Sequence, residues 1–195
     1  CRYTEQLVIP AKVSFIGAGA LTSDESPSGR SLSCLIKDFD GVGVLFSGDD
    51  CFTDGVQYDN ASGHTGDNVQ VTGSRFRAPS IAVTNAGQDG IRIGATGATG
   101  TGTSTVNANL WKIGALIALG NGRHGAYIND TNTGGSVTWP NGAPDCNAGS
   151  IQTAECDRNG GDGIAFGNTI DNYVGLVVAQ SNTGYGVSFR SYARN

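Results

Sequence analysis

Glu155 and Asp157 flank Cys156, so two carboxylates are separated by a single residue. On a β-strand, side chains alternate between faces, and both acids then point the same way, about 6.5–7 Å apart. One carboxyl can protonate a departing oxygen while another activates water when they stand about 6.5–9.5 Å apart; a nucleophile pair needs about 5–5.5 Å. The spacing therefore fits an acid and base of the first kind, with Glu155 the better proton donor. Two solvated surface acids produce the same spacing, and residue types alone leave both readings open.

A second set gathers around glycines. Asp89, His124 and Asp162 immediately precede Gly90, Gly125 and Gly163, with Arg92, Tyr127 and Asn129 just downstream. Stacked repeats would bring these side chains about 5 Å apart. A histidine between two acids can act as a base or hold a sugar hydroxyl, whereas corner positions equally suit turn-forming polar residues. Trp139, within a long connection, is the best aromatic platform for a sugar ring; Trp111 reads as core. Asp49, Asp50, Asp54 and Asp59 lack the ordered ligand spacing of a calcium loop, so no metal and no cofactor is expected. Nucleophile-elbow, zinc-protease and phosphate-loop motifs are absent from the sequence.

The elements that would position these residues are written in a repeated phrase of glycine, apolar, variable, apolar. It occurs at Gly90-Ile-Arg-Ile, Gly125-Ala-Tyr-Ile, Gly163-Ile-Ala-Phe and Gly186-Val-Ser-Phe. Asn121, Asn159 and Asn182 lie four residues before their glycines, and Asn85 lies five before Gly90. Alternation turns Ile91, Ile93, Ala126, Ile128, Ile164, Phe166, Val187 and Phe189 inward. A second inward set lies upstream: Ile81 and Val83, Leu116 and Ala118, Ala154 and Cys156, Val177 and Ala179. A weaker third strand runs through Phe76–Ala78, Trp111–Ile113, Gly149–Ile151 and Asn172–Val174. Repeats of this size cannot bury their apolar faces alone and must stack.

Short strands with Gly and Asn corners predict an all-β chain, a right-handed parallel β-helix of about six to seven rungs with inserted loops. Gly94–Thr105, Asn129–Asp145 and the Asp-rich stretch from Gly48 to Asp67 read as irregular insertions. The outward neighbours of the carboxylate pair are Ile117 and Leu119 before it and Val178 and Gln180 after it. Apolar side chains on an outer face predict a covering partner. Burial between subunits would raise a carboxyl pKa, as a general acid requires.

Composition agrees. The 195 residues suit one domain, residues 1–195, and the 31 glycines, three lysines and three glutamates disfavour long helices. A net charge of −5 with nine scattered arginines excludes a phosphate grip on nucleic acid. No apolar run reaches a membrane span of about 18 residues. Five cysteines in no metal-like spacing are expected as free thiols, Cys156 among the core. A start at Cys1 rather than Met points to a fragment or processed part of a longer protein.

The glycine phrases, the corner asparagines and the segment Val8-Ile-Pro-Ala-Lys-Val-Ser-Phe-Ile-Gly-Ala-Gly resemble the right-handed β-helix of the pectate-lyase-like superfamily, and within it the shafts of bacteriophage tailspikes. The resemblance implies a homotrimer on a virion tail or in the extracellular space that binds bacterial surface polysaccharide and depolymerises it. Arg123-His124-Gly125 and Gln88-Asp89-Gly90 echo two elements of polygalacturonases, but the paired Asp and the Arg-Ile-Lys element are missing, so none of their roles is carried over. A non-catalytic shaft or adhesin is the alternative. A lyase, which would need a Lys or Arg base beside calcium, is the third reading.

Overall fold

The computed structural model describes residues 1–17, 33–94, 108–129, 146–167, 169 and 171–189. Gly94 and Asn129 are therefore described, while the rest of the Gly94–Thr105 and Asn129–Asp145 insertions, with Trp139, lies outside these residues. Along the chain come β1 (Arg2–Tyr3), β2 (Leu7–Ile9), β3 (Ser14–Ile16), β4 (Cys34–Lys37), β5 (Val44–Phe46), β6 (Phe52–Asp54), β7 (Val56–Asn60) and β8 (Val69–Val71). Then follow β9 (Arg77–Thr84), β10 (Ile91–Ile93), β11 (Lys112–Leu119), β12 (Ala126–Ile128), β13 (Ser150–Asp157), β14 (Ile164–Phe166), β15 (Tyr173–Gln180) and β16 (Val187–Phe189). The described residues contain strands and no helix, so none is long and apolar enough to cross a membrane.

The strands form two sheets. One runs β1-β4-β7-β9-β11-β13-β15, with β3 joined to β6 and β6 to β9; the other runs β2-β5-β8-β10-β12-β14-β16. Every pairing among the described residues is parallel. The chain is all-β, and each strand lies beside its counterpart in the next repeat, an arrangement compatible with a β-helix-like coil.

The register follows the repeated phrase. Leu7, Val44, Val69, Ile91, Ala126, Ile164 and Val187 align strand by strand. Facing them, Ile81, Leu116, Ala154 and Val177 align on the other sheet. Together with Phe46, Tyr58, Phe76 and Trp111 they make one continuous core. Each fully buried Val, Ile or Phe contributes about 1.5–3 kcal/mol. Cys156 is buried in this core, and none of the five cysteines forms a disulfide.

Three differences from the expected pattern have local causes. The two upstream strands of each later repeat fuse into one strand of eight residues in β9, β11, β13 and β15. Ile113 and Leu116 are both buried although three apart, so the alternation slips at Gly114–Ala115 and the strand bends there. The Gly48–Asp67 stretch is not irregular: it contains β6 and β7, whose polar side chains are bonded inside the fold. Asp54 accepts from Ser80 Oγ at 2.8 Å and Asp59 from Thr84 Oγ1 at 2.9 Å. Finally, the asparagine ladder links Asn121, Asn159 and Asn182 at 2.9 and 2.8 Å but ends at Ala86, whose N–H donates to Asn121 Oδ1. Asn85 is one residue out of that column and sits instead in a left-handed turn at φ 55°.

Left-handed residues punctuate both ends of the long strands. Arg75, Leu110, Ala148 and Asp171 precede them, while Asn85, Gly120, Arg158 and Ser181 follow, all at φ between 51° and 65°. Tight packing against Trp111 places a different demand on Gly149, where an added Cβ would lie 1.8 Å from the indole Cε2. Gly149→Ala is expected to lower stability by about 1–3 kcal/mol through overpacking. Urea denaturation checks this, and an unchanged midpoint contradicts it.

Alkaline pH is a second test of the interior. Burial pushes the Cys156 thiol up to about 12 and raises Cys51, Tyr3 and Tyr58 as well. The unfolded chain sheds thiol protons near 9 and phenol protons near 10, values at which the folded chain keeps them. Stability from these four groups is therefore present below pH 9 and lost as pH rises. Lys37 acts oppositely: burial lowers it to about 8, so between there and 10.5 folding is favoured by losing its proton. Above pH 10 the four raised groups outnumber it. Urea midpoints are expected to fall steeply between pH 10 and 11; a flat profile contradicts the buried thiols and phenols.

Candidate functional site

The corner before each glycine phrase carries a polar column whose members interlock across repeats. Asp89 N–H donates to Asp67 Oδ1 at 3.0 Å, and His124 N–H to Asp89 Oδ1 at 3.2 Å. Asp162 N–H donates to His124 Nδ1 at 2.9 Å, and Tyr185 N–H to Asp162 Oδ1 at 2.8 Å. Each side chain thus accepts the backbone N–H of its successor, which satisfies donors that a corner would otherwise strand. His124 Nδ1 is an acceptor here, so the neutral ring carries its hydrogen on Nε2.

Two arginines lie across this column. Arg92 donates through Nε to Asp67 Oδ2 and through Nη2 to Asp89 Oδ2, both at 2.8 Å, with its side chain 9% exposed and Asp89 fully buried. Arg123 donates through Nε to Asp89 Oδ1 at 2.8 Å and through Nη2 to Oδ2. Burial raises the Asp67 carboxyl, while the Arg92 guanidinium pulls it back down. The hydrogen bond to Asp89 raises Arg123 above its ordinary value. Tyr127 packs between the arginines, each guanidinium carbon 5.2 Å from its ring centre, with the His124 ring at 5.3 Å. Ser188 Oγ donates to Asp162 Oδ2. Asp89, Arg92, His124, Tyr127 and Asp162 are therefore brought together, and their polar atoms bond largely to one another.

The carboxylate pair lies on the other sheet. Register aligns Glu155 with Ile117 and Val178, and Asp157 with Leu119 and Gln180. Ile117 and Leu119 are half-buried and Val178 is 45% exposed. Glu155 is half-buried, whereas Asp157 is buried at the end of β13. There Arg158, at φ 54°, brings its Nε to 3.1 Å from Asp157 Oδ2. Among the described residues, Asp157 Oδ1 is buried with no hydrogen-bond partner. An orphaned carboxylate oxygen is costly, and such atoms mark strain or a waiting ligand. The pair offers a half-buried carboxyl and a salt-bridged one, about 6.5–7 Å apart along one strand.

Asn129 is buried just past β12, its amide packed where a Gly167 side chain would fall. Asp49 and Asp50 pair with Arg75, and among the described residues no cluster could hold a metal ion. Residues missed in the sequence include Asp67 and Arg158, while Arg123 was noted only within Arg123-His124-Gly125 and given no role. Asp67 was hidden because Asn68 stands where the repeated phrase has glycine, although Val69-Gln-Val keeps the alternation. Arg158 was hidden because a left-handed arginine carries no signal in residue type.

Comparison with protein-family models, curated proteins and solved structures finds no match.

Proposed function

We propose that the chain is a right-handed parallel β-helix resembling a phage tailspike. In this reading it binds bacterial surface polysaccharide and cleaves it by hydrolysis at Glu155 and Asp157. One observation carries the reading: Asp157 Oδ1, buried and without a partner among the described residues, beside a second carboxyl on the same strand face. In this scheme Glu155 protonates the glycosidic oxygen as the Asp157 carboxylate takes a proton from the water that attacks the sugar carbon. Arg158 holds the opposite oxygen and so fixes the carboxylate plane. The apolar column of Ile117, Leu119 and Val178 supports burial of this face in a homotrimer outside the cell or on a virion. The parallel pairing of each described strand with its counterpart in a neighbouring repeat supports the coil.

The non-catalytic shaft is the second reading, favoured by the corner column, whose acids and arginines bond largely among themselves. Incubation with a panel of capsular polysaccharides separates the possibilities. Hydrolysis predicts new reducing ends without the ultraviolet absorbance of an unsaturated uronate. Binding without new ends supports the shaft, and a rise in that absorbance supports a lyase.

A further inference from the structure

Across the bent half of the larger sheet, one outward column aligns Phe52, Arg77, Lys112, Ser150 and Tyr173. Arg77 and Lys112 are both exposed and occupy adjacent, directly opposed positions. Strands are about 4.8 Å apart, so two like charges stand side by side, an arrangement that opposes sheet formation. Several arginines pair with acids, Arg75 with Asp49 and Asp50, Arg92 with Asp67 and Asp89, Arg123 with Asp89, while Lys37 donates to the Gly41 and Thr65 carbonyls. Arg77 and Lys112 form no ion pair among the described residues, although the chain carries an acidic excess of five charges. Aromatic rings flank them, Phe52 half-buried on one side and Tyr173 62% exposed on the other, with the Ser150 hydroxyl between Lys112 and Tyr173.

We infer that this column is a binding site for a carboxylate-bearing glycan chain, a face separate from Glu155 and Asp157. The inference rests on the polysaccharide reading above and specifies an anionic substrate. A carboxylate seated between Arg77 and Lys112 takes the planar guanidinium fork on one side and the ammonium on the other, and it cancels their repulsion. The rings offer apolar faces to sugar units before and after the charged one. Two cations are too few to hold a nucleic-acid backbone, whose binding depends on many neutralised phosphates.

The test is titration calorimetry of the intact chain with alginate oligosaccharides, a polyuronate, and with the same oligosaccharides after carboxyl reduction. The inference predicts binding to the polyuronate only, weakened by added salt. Arg77→Ala and Lys112→Ala each weaken it about tenfold, the loss of one charge-assisted hydrogen bond, and the double variant about a hundredfold. Both side chains are exposed and their repulsion is lost in the variants, so thermal unfolding stays unchanged or rises slightly and verifies folding. Equal affinity for both forms, failure to bind the polyuronate, or full affinity in the Arg77→Ala, Lys112→Ala variant overturns the inference. If a neutral polysaccharide is cleaved while the cation variants behave as wild type, this site is refuted and the hydrolase reading stands.

Discussion

Asp89→Ala is expected to destabilise the fold by about 3–5 kcal/mol, the cost of leaving a buried ionic network without its central partner. Asp89 takes hydrogen bonds from Arg92, Arg123 and the His124 backbone, with its carboxylate fully buried. Its removal strands the His124 N–H and leaves Arg92, 9% exposed, with Asp67 alone. Arg123→Ala should cost far less, within about 1 kcal/mol, because that guanidinium is 41% exposed and its pairing competes with water. Urea denaturation of the two variants measures the contrast. Equal losses, or a loss below 1 kcal/mol for Asp89→Ala, would show that the column does not hold the corner together.

The second large effect concerns chemistry. Glu155→Gln removes the proposed proton donor and should lower turnover about 10²- to 10⁴-fold, the usual contribution of one general acid or base. A substrate whose leaving group departs without protonation should recover most of the rate. Asp157→Asn should lose a similar factor, but its rescue is different: added azide, which needs no deprotonation, restores turnover in place of water. Rescue of the wrong variant by each agent would reverse the two roles, and rescue of neither would remove both.

Much of the scaffold was legible because alternation with period two leaves a direct trace. The phrase beginning at each glycine placed Ile91 beside Ala126, Ile164 and Val187, and the register agrees. The same spacing put Glu155 next to Ile117 and Val178. Legibility stopped where a side chain did the work of a glycine. Asn68 replaces the glycine before Val69, so that repeat and Asp67 with it escaped notice. Corners formed by Leu110, Ala148 and Arg158 in left-handed conformation gave no sign, because these types rarely adopt it. Asp157 was expected on an outer face, and it does occupy an outward position. It is nevertheless buried, at the strand end beside the left-handed Arg158, which spacing along a strand does not encode.

The central claim is that Glu155 and Asp157 together cut a glycosidic bond. Its most direct test compares release of reducing ends from one capsular polysaccharide by the wild-type chain and by the Glu155→Gln, Asp157→Asn variant, with matched thermal unfolding. The expected result is steady release by the wild type and a loss of at least about a hundredfold in the variant. Equal release by both, or none by the wild type from a polysaccharide it binds, would contradict it.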